Sequence, residues 1–420
     1  MRWMIPAALV VGLIAGGGQA GVLRVPSEYS TIQAAMDAAA AGDSVLVAPG
    51  TYTNCDGGPC LQNVVLMRSG TTLVSEGGPD ATTLAVDVAG GGISVIRAAS
   101  CTDARVDGFT VRAGTPGYRG GSFISSTGVV VANCVFEDIE PGFEKGAGCF
   151  ANGTSITVRD CVFRHCVSTQ GSAAFDSDGG HVVVERCLFE DCEPGAARIT
   201  GYPNSVSAVR DCVFRNNRGL SALAFLYVRS GDVGGNVFVG NVFTLNGSAI
   251  SFNSPYGTTS MHDNVFLWND ASQYQQIVSF NGTGEFVRNT FHGNVSRVGS
   301  ASLVLGQPPG EVSNNVFSGE SGGAAIEVLF AQPTGGCNLF WENAGGNFRD
   351  YTPKPTDVIA DPQFCDAVAG DLTVRQGSPC LPENSQGCGR IGALGEGCGS
   401  VSVDPTSWGK LKAGYRGGER

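Results

Sequence analysis

From about residue 105 to residue 345, apolar and polar positions alternate in short runs such as Ile156-Thr157-Val158, and Gly-rich breaks separate the runs. A period of two marks half-buried β-strands; helical repeats would show a period of 3.6. One three-residue pattern recurs: Cys or Asn, an aliphatic residue or Thr, then Phe. It reads Cys134-Val135-Phe136, Cys161-Val162-Phe163, Cys187-Leu188-Phe189 and Cys212-Val213-Phe214. It continues as Asn241-Val242-Phe243, Asn264-Val265-Phe266, Asn289-Thr290-Phe291, Asn315-Val316-Phe317 and Asn338-Leu339-Phe340, with Asp107-Gly108-Phe109 as a degenerate first copy. The Phe spacings are 27, 27, 26, 25, 29, 23, 25, 26 and 23. A unit of several short strands cannot bury its own apolar face, so the copies are expected to stack into an all-β solenoid, a single-stranded parallel β-helix of about ten coils.

Stacking predicts ladders, because equivalent residues of adjacent coils lie about 4.8 Å apart and like charges there repel. One residue after the Phe, the chain reads Glu137, Arg164, Glu190, Arg215; two after, Asp138, His165, Asp191; four before, Arg159, Glu185, Arg210. All three alternate in sign or pair His with acid. Three before the Phe stand Asn133, Asp160, Arg186, Asp211, Gly240, Asp263, Arg288 and Asn314, mostly types that tolerate a left-handed backbone, so a bend is placed there. Three after it stand Cys166, Cys192, Asn217, Asn246, Asn269, Asn294, Glu320 and Asn343, which predict an inward amide stack. Phe150, Phe175, Ile199, Phe225, Phe252, Phe280, Leu305 and Val328 predict a second apolar wall.

These features resemble the right-handed parallel β-helix proteins of the pectin-lyase-like superfamily, over about Val22 to Cys398. The stretches Tyr29–Ala35 and Ala41–Tyr52 resemble that group's entry cap, an N-capped helix from Ser30 or Thr31 to Ala40 followed by the first strand. Asp361–Cys365, Ser378–Cys380 and Cys388–Ala393 resemble its closing segment. The expected organisation is a signal peptide over 1–20, cap and first coils over 21–100, repeats over 101–345, a Cys-rich cap over 346–398 and a tail over 399–420. The first of these rests on Arg2, the apolar run Trp3–Ala15 and the small residues before Ala20. Trp408, Leu411 and Tyr415 in the tail fall at helix-face spacing, which admits a sorting or attachment tag, although a simple frayed terminus is favoured.

The formal charge of −12 argues against nucleic acid as partner, since that footprint is basic. Fifteen cysteines argue against a reducing cytosol. Cys134, Cys161, Cys187 and Cys212 are expected to stack as free thiols, because parallel Cβ atoms about 4.8 Å apart are wider than a disulfide prefers. Cys55 and Cys60 flank a turn and are expected to pair; Cys365–Cys380 with Cys388–Cys398 is favoured among three connectivities. Cys101, Cys149 and Cys337 have no assignment.

The resemblance implies polysaccharide lyase or glycoside hydrolase chemistry, with Ca²⁺ admitted by the lyases; no cofactor is evident in the residues and no catalytic signature carries over. Asp176, Asp178 and His181, with Lys145 in the preceding coil, form the best candidate catalytic cluster, although Asp and Gly also make ordinary turns. Asp176 is expected between Ala151 and Thr200 on its ladder, without a charge partner. Tyr202, Tyr256, Trp268, Tyr274 and Trp341 are candidates for stacking on sugars. The sequons at Asn152, Asn246, Asn281 and Asn294 matter in a glycosylating host. The functional expectation is a secreted or cell-surface protein that binds carbohydrate or is structural. The alternatives are an enzyme on an extracellular polysaccharide, or an adhesin or assembly component. No membrane span is expected in the mature chain.

Overall fold

The computed structural model describes residues 20–55, 58–59, 64–86, 94–113, 119–140, 146–169, 171–201, 204–244, 247–273, 276–307 and 310–398. Lys145, Cys60, Tyr202, Tyr274, Asn246, residues 1–19 of the expected signal peptide, the side chains of Cys55 and Tyr256 and the tail 399–420 lie outside them.

Each coil carries three strands, and each strand pairs in parallel with its equivalent one coil away. In one central coil, Phe175–Asp178 lies on wall 1, Val182–Glu185 on wall 2 and Leu188–Glu190 on wall 3. Wall 3 is a 13-stranded sheet. Ten of its strands, from Thr110–Ala113 to Leu339–Trp341, match the counted repeat, two precede them and Val358–Ile359 follows. Walls 1 and 2 merge into one 23-stranded sheet. They merge because Ile250–His262 and Val278–Val287 run round the corner unbroken. At the open N-terminal end, helix Ile32–Ala38 buries Ile32, Ala35 and Met36, and Thr31 accepts from Ala34 N as N-cap. The helix is shorter than expected; Ala39 already has an extended backbone.

Phe136, Phe163, Phe189, Phe214, Phe238, Phe266, Phe291, Phe317 and Phe340 form one inward column, each 0% exposed. Adjacent rings are 4.4–5.3 Å apart. Two members differ from the expected register. Val111, not Phe109, pairs with Phe136, and Phe109 takes the place of Cys134. Phe238, not Phe243, continues the column. The reason is a tandem motif, Gly235-Asn236-Val237-Phe238 and Gly240-Asn241-Val242-Phe243. Wall 3 is bounded by two left-handed bends, one three before the Phe (Asp211 φ 54°, Gly235 φ 68°, Asp263 φ 57°) and one two after it (His165 φ 50°, Gly240 φ 62°, Trp268 φ 51°). In this coil both bends are Gly-Asn, so the motif appears twice and the sequence alone cannot tell the two copies apart.

Each bend is followed by an amide ladder. In the first, Asn236, Asn264, Asn289, Asn315 and Asn338 each donate both backbone N and Nδ2 to the Oδ1 of the next rung at 2.9–3.2 Å, and the last donates to Asp357. In the second, Asn217, Asn241, Asn269 and Asn294 do the same and end on Glu320. Each Nδ2 also donates to a carbonyl one coil back, as Asn217 does to Phe189 O and Asn236 to Val209 O, so every rung ties three coils together. Asn294 is therefore buried, and its sequon is inaccessible. In the earlier coils Cys134, Cys161, Cys187 and Cys212 fill the first ladder as free buried thiols. Burial holds the Cys134, Cys161 and Cys187 thiols well above their ordinary pKa.

The segment after Ile359 folds back as a strap over the outside of wall 3. Leu372, Ala393 and Phe364 cover Val213, Val237, Val239, Val265 and Leu267. Leu381 and Ile391 cover Val316 and Leu339. Asn314 Nδ2 donates to the carbonyls of Cys388 (2.7 Å) and Arg390 (3.1 Å), and Arg390 pairs with Asp263. The disulfides differ from the expected pairing. Cys337 bonds Cys388, tying the strap to a coil, and Cys365 bonds Cys398. Cys380 is buried and free, its thiol pushed up to about 11 by burial. Among the described residues no helix is long and apolar enough to cross a membrane.

Candidate functional site

Wall 1 is where the loops are longest and least regular. Phe163 to Phe175 spans 12 residues, whereas Phe189 to Ala197, the rung paired with Phe175, spans 8. The Phe repeat therefore does not carry its register across this loop. Phe150 pairs with Asp176 and Phe175 with Cys149, so Phe150 lies on the outer face, and only Ile199, Phe225, Phe252, Phe280, Leu305 and Val328 form the expected inward column.

The outer column at the N-terminal half of wall 1 reads Arg97, Ser122, Phe150, Asp176, Arg198. Asp176 is 0% exposed, and its true rungs are Phe150 and Arg198 rather than Ala151 and Thr200. Arg198 Nη2 donates to Asp176 Oδ1 at 2.9 Å, so the carboxylate has the charge partner that the expected register denied it. Arg119 sits over the Phe150 ring at 4.4 Å, a cation–π contact. Gly146, φ 70°, lies against this column: a Cβ there would be 3.0 Å from the Asp176 Cβ and 3.1 Å from that of Phe150. Among the described residues, three polar atoms of the column, Arg97 Nε, Ser122 Oγ and Arg198 Nε, are buried without a hydrogen-bond partner.

Of the residues singled out in the sequence, Asp176 and Asp178 share this face, with Asn152 and Thr200 as the rungs of Asp178. His181 lies beyond the corner made by Gly179 and Gly180, is exposed, and its Nδ1 accepts from Val206 N at 3.1 Å. Trp268 lies beside Gly293 and the strap's Gly370 but stays 43% exposed, whereas Trp341 is half-buried and packs in the strap cluster. Arg97, Arg119, Ser122, Phe150 and Arg198 were missed. A two-residue shift of the wall 1 alignment, pairing Asp176 with Arg198, would have found the opposite charges. Among the described residues no group of three or more His, Cys, Asp or Glu is placed to hold a metal ion.

With this geometry in hand, comparison with known proteins places the fold. The family profile described as "Right handed beta helix region" matches residues 91–266. No curated protein sequence matches the chain. Among solved structures, the surface adhesin PfbA of Streptococcus pneumoniae is 14% identical, with 79% of this chain and 91% of that chain covered and a TM-score of 0.52. The PL6 family alginate lyase AlyGC is 14% identical over 79% of this chain and 54% of its own, TM-score 0.46. The polygalacturonase of Erwinia carotovora is 13% identical over 81% and 96%, TM-score 0.42. The chain is a right-handed parallel β-helix protein. At these identities the likeness is one of fold, and such a fold hosts unrelated activities.

Proposed function

We propose that this is a secreted or cell-surface β-helix protein that binds an extracellular carbohydrate along the N-terminal half of wall 1. The observation that carries this reading is the outer column in which Arg97 Nε, Ser122 Oγ and Arg198 Nε are buried without partners. Buried polar atoms in folded proteins are nearly always satisfied, and a small side-chain movement in this column would bring these three to the oxygens of a ligand. The two strap disulfides support an oxidising compartment. The Asp176–Arg198 pair holds its carboxylate in place, which suits binding better than proton abstraction. The surface adhesin of like fold supports the same setting. The test is calorimetric binding of purified protein to a polysaccharide panel, with unsaturated products and reducing ends followed in parallel. Binding that falls at least tenfold in Arg198→Ala and Ser122→Ala, without product formation, is expected. Turnover lost in Asp176→Asn would establish the enzymatic reading instead, and binding indifferent to all three changes would remove the site.

A further inference from the structure

Glu320 occupies a rung of the second amide ladder that is Asn in the four coils before it and in the coil after it, at Asn343. Its side chain is 0% exposed. Oε1 accepts from Asn294 N at 3.1 Å and Asn294 Nδ2 at 3.0 Å in the preceding coil. Oε2 is hydrogen-bonded to Ser302 Oγ on the wall 1 strand Ala301–Leu305. In the following coil Asn343 Oδ1 accepts from Glu320 N at 3.0 Å. The groups facing the carboxyl are thus the two amides of Asn294 and the hydroxyl of Ser302, while Asn343 meets the backbone of the same residue. Among the described residues no Lys, Arg or His forms an ion pair with it and no second carboxylate touches it.

The ladder asks for one acceptor oxygen at this rung, which Asn or Gln would supply. The second oxygen instead bridges the corner between wall 3 and wall 1. When the carboxyl is protonated, its O–H donates to Ser302 Oγ, Oε1 accepts from Asn294, and the corner carries no charge. When it ionises, Ser302 can donate to Oε2, but a negative charge remains buried without a counter-charge, and opening the corner to water relieves it.

We propose that Glu320 makes the C-terminal third of the solenoid a pH-responsive joint, closed when its carboxyl is protonated and loosened when the carboxyl ionises. Burial pushes its pKa up to about 7, against the opposing hydrogen bonds of Ser302 and Asn294. The folded value lies above the ordinary 4.5, so the closed state is favoured in acid and its advantage is lost as pH rises through about 7.

The experiment is amide hydrogen exchange of the full chain, corrected for intrinsic rates, at pH 5.5 and 8.5. Segments 290–305 and 316–328 should lose protection by roughly tenfold to a hundredfold at the higher pH, as a raised buried carboxyl requires. Glu320→Gln should abolish that difference, and Glu320→Asn serves the same purpose if the Gln variant fails to fold. An infrared carboxyl band of the protonated acid, present at pH 6 and missing in the variant, should accompany it. Equal protection at the two pH values, or the same pH dependence in either folded variant, would overturn the proposal.

Discussion

The two halves of wall 3 share one inner face and oppose each other on the outer one. Inside, the Phe column runs unchanged from Phe136 to Phe340. Outside, the position after the column residue reads Arg112 (after Val111), Glu137, Arg164, Glu190, Arg215 in the first half, then Val239, Leu267, His292, Ser318, Trp341 in the second. The first set forms a salt-bridged ladder: Arg112 and Arg164 both donate to Glu137, at 2.7 and 2.6 Å, and Arg215 pairs with Glu190. The second lies under the strap, where Val239 and Leu267 are each 6% exposed. The inner face of a solenoid is thus dictated by stacking, while the outer face records what covers it. The change falls between Arg215 and Val239, where the strap's apolar contacts begin to dominate.

Three experiments can break or sharpen this contrast. The largest effect should be the same in both halves: Phe189→Ala and Phe266→Ala should each lower unfolding free energy by about 3–5 kcal/mol in denaturant titrations, the usual result of emptying a buried Phe site. A loss under about 1 kcal/mol at either position would show that the core is not continuous. The next effect should be confined to the second half. Leu267→Ala should cost about 2–3 kcal/mol and render residues 361–398 sensitive to limited proteolysis, because it removes the strap's apolar footing. Arg164→Ala should leave the strap protected; equal cleavage in both variants would sink the idea that the strap docks through this stripe.

The smallest effect concerns pH. Burial alone would raise the Glu137 carboxyl, but Arg164 and Arg112 outweigh it and hold the pKa below the ordinary 4.5. Its contribution is therefore present above that value and is lost as pH falls below it. Each ladder pair contributes about 0.2–1 kcal/mol, so exchange protection around residues 135–139 should weaken modestly below pH ~4.5 and be insensitive to acid in Arg164→Ala. Protection near Glu320 should move in the opposite direction with pH. The same slope in both regions would show that global unfolding, not these carboxyls, governs the exchange.

Much of the fold was legible because wall 3 and its bends have nearly constant length. The Cys/Asn-x-Phe pattern located the column, and alternating charges at Glu137, Arg164, Glu190 and Arg215 confirmed its register. The slip to Phe243 arose where the two bends carry the same Gly-Asn pair. The site was far less legible. The loops into wall 1 vary in length, so Asp176 was paired with Ala151 and Thr200, and Arg198 was overlooked. Trp341 reads as a free aromatic because nothing local shows that the returning strap packs against it. Cys337 was left without a partner for the same reason: Cys388 is 51 residues away and reaches it only through the returning strap.

The sequence by itself determined what repeats at short range: strands of period two, bends where the backbone turns left-handed, and ladders in which each residue meets its equivalent about 4.8 Å away. Those follow from local sterics and from stacking a single unit on itself, so one coil predicts the next. Only the tertiary structure decided which outer face the strap covers, which cysteines it brings together, and that Asp176, Arg198, Phe150 and Arg119 converge. These are contacts between segments whose spacing no repeat constrains. A variable loop or a returning chain end sets them by where it can pack, and that depends on the whole assembled surface rather than on neighbours along the chain.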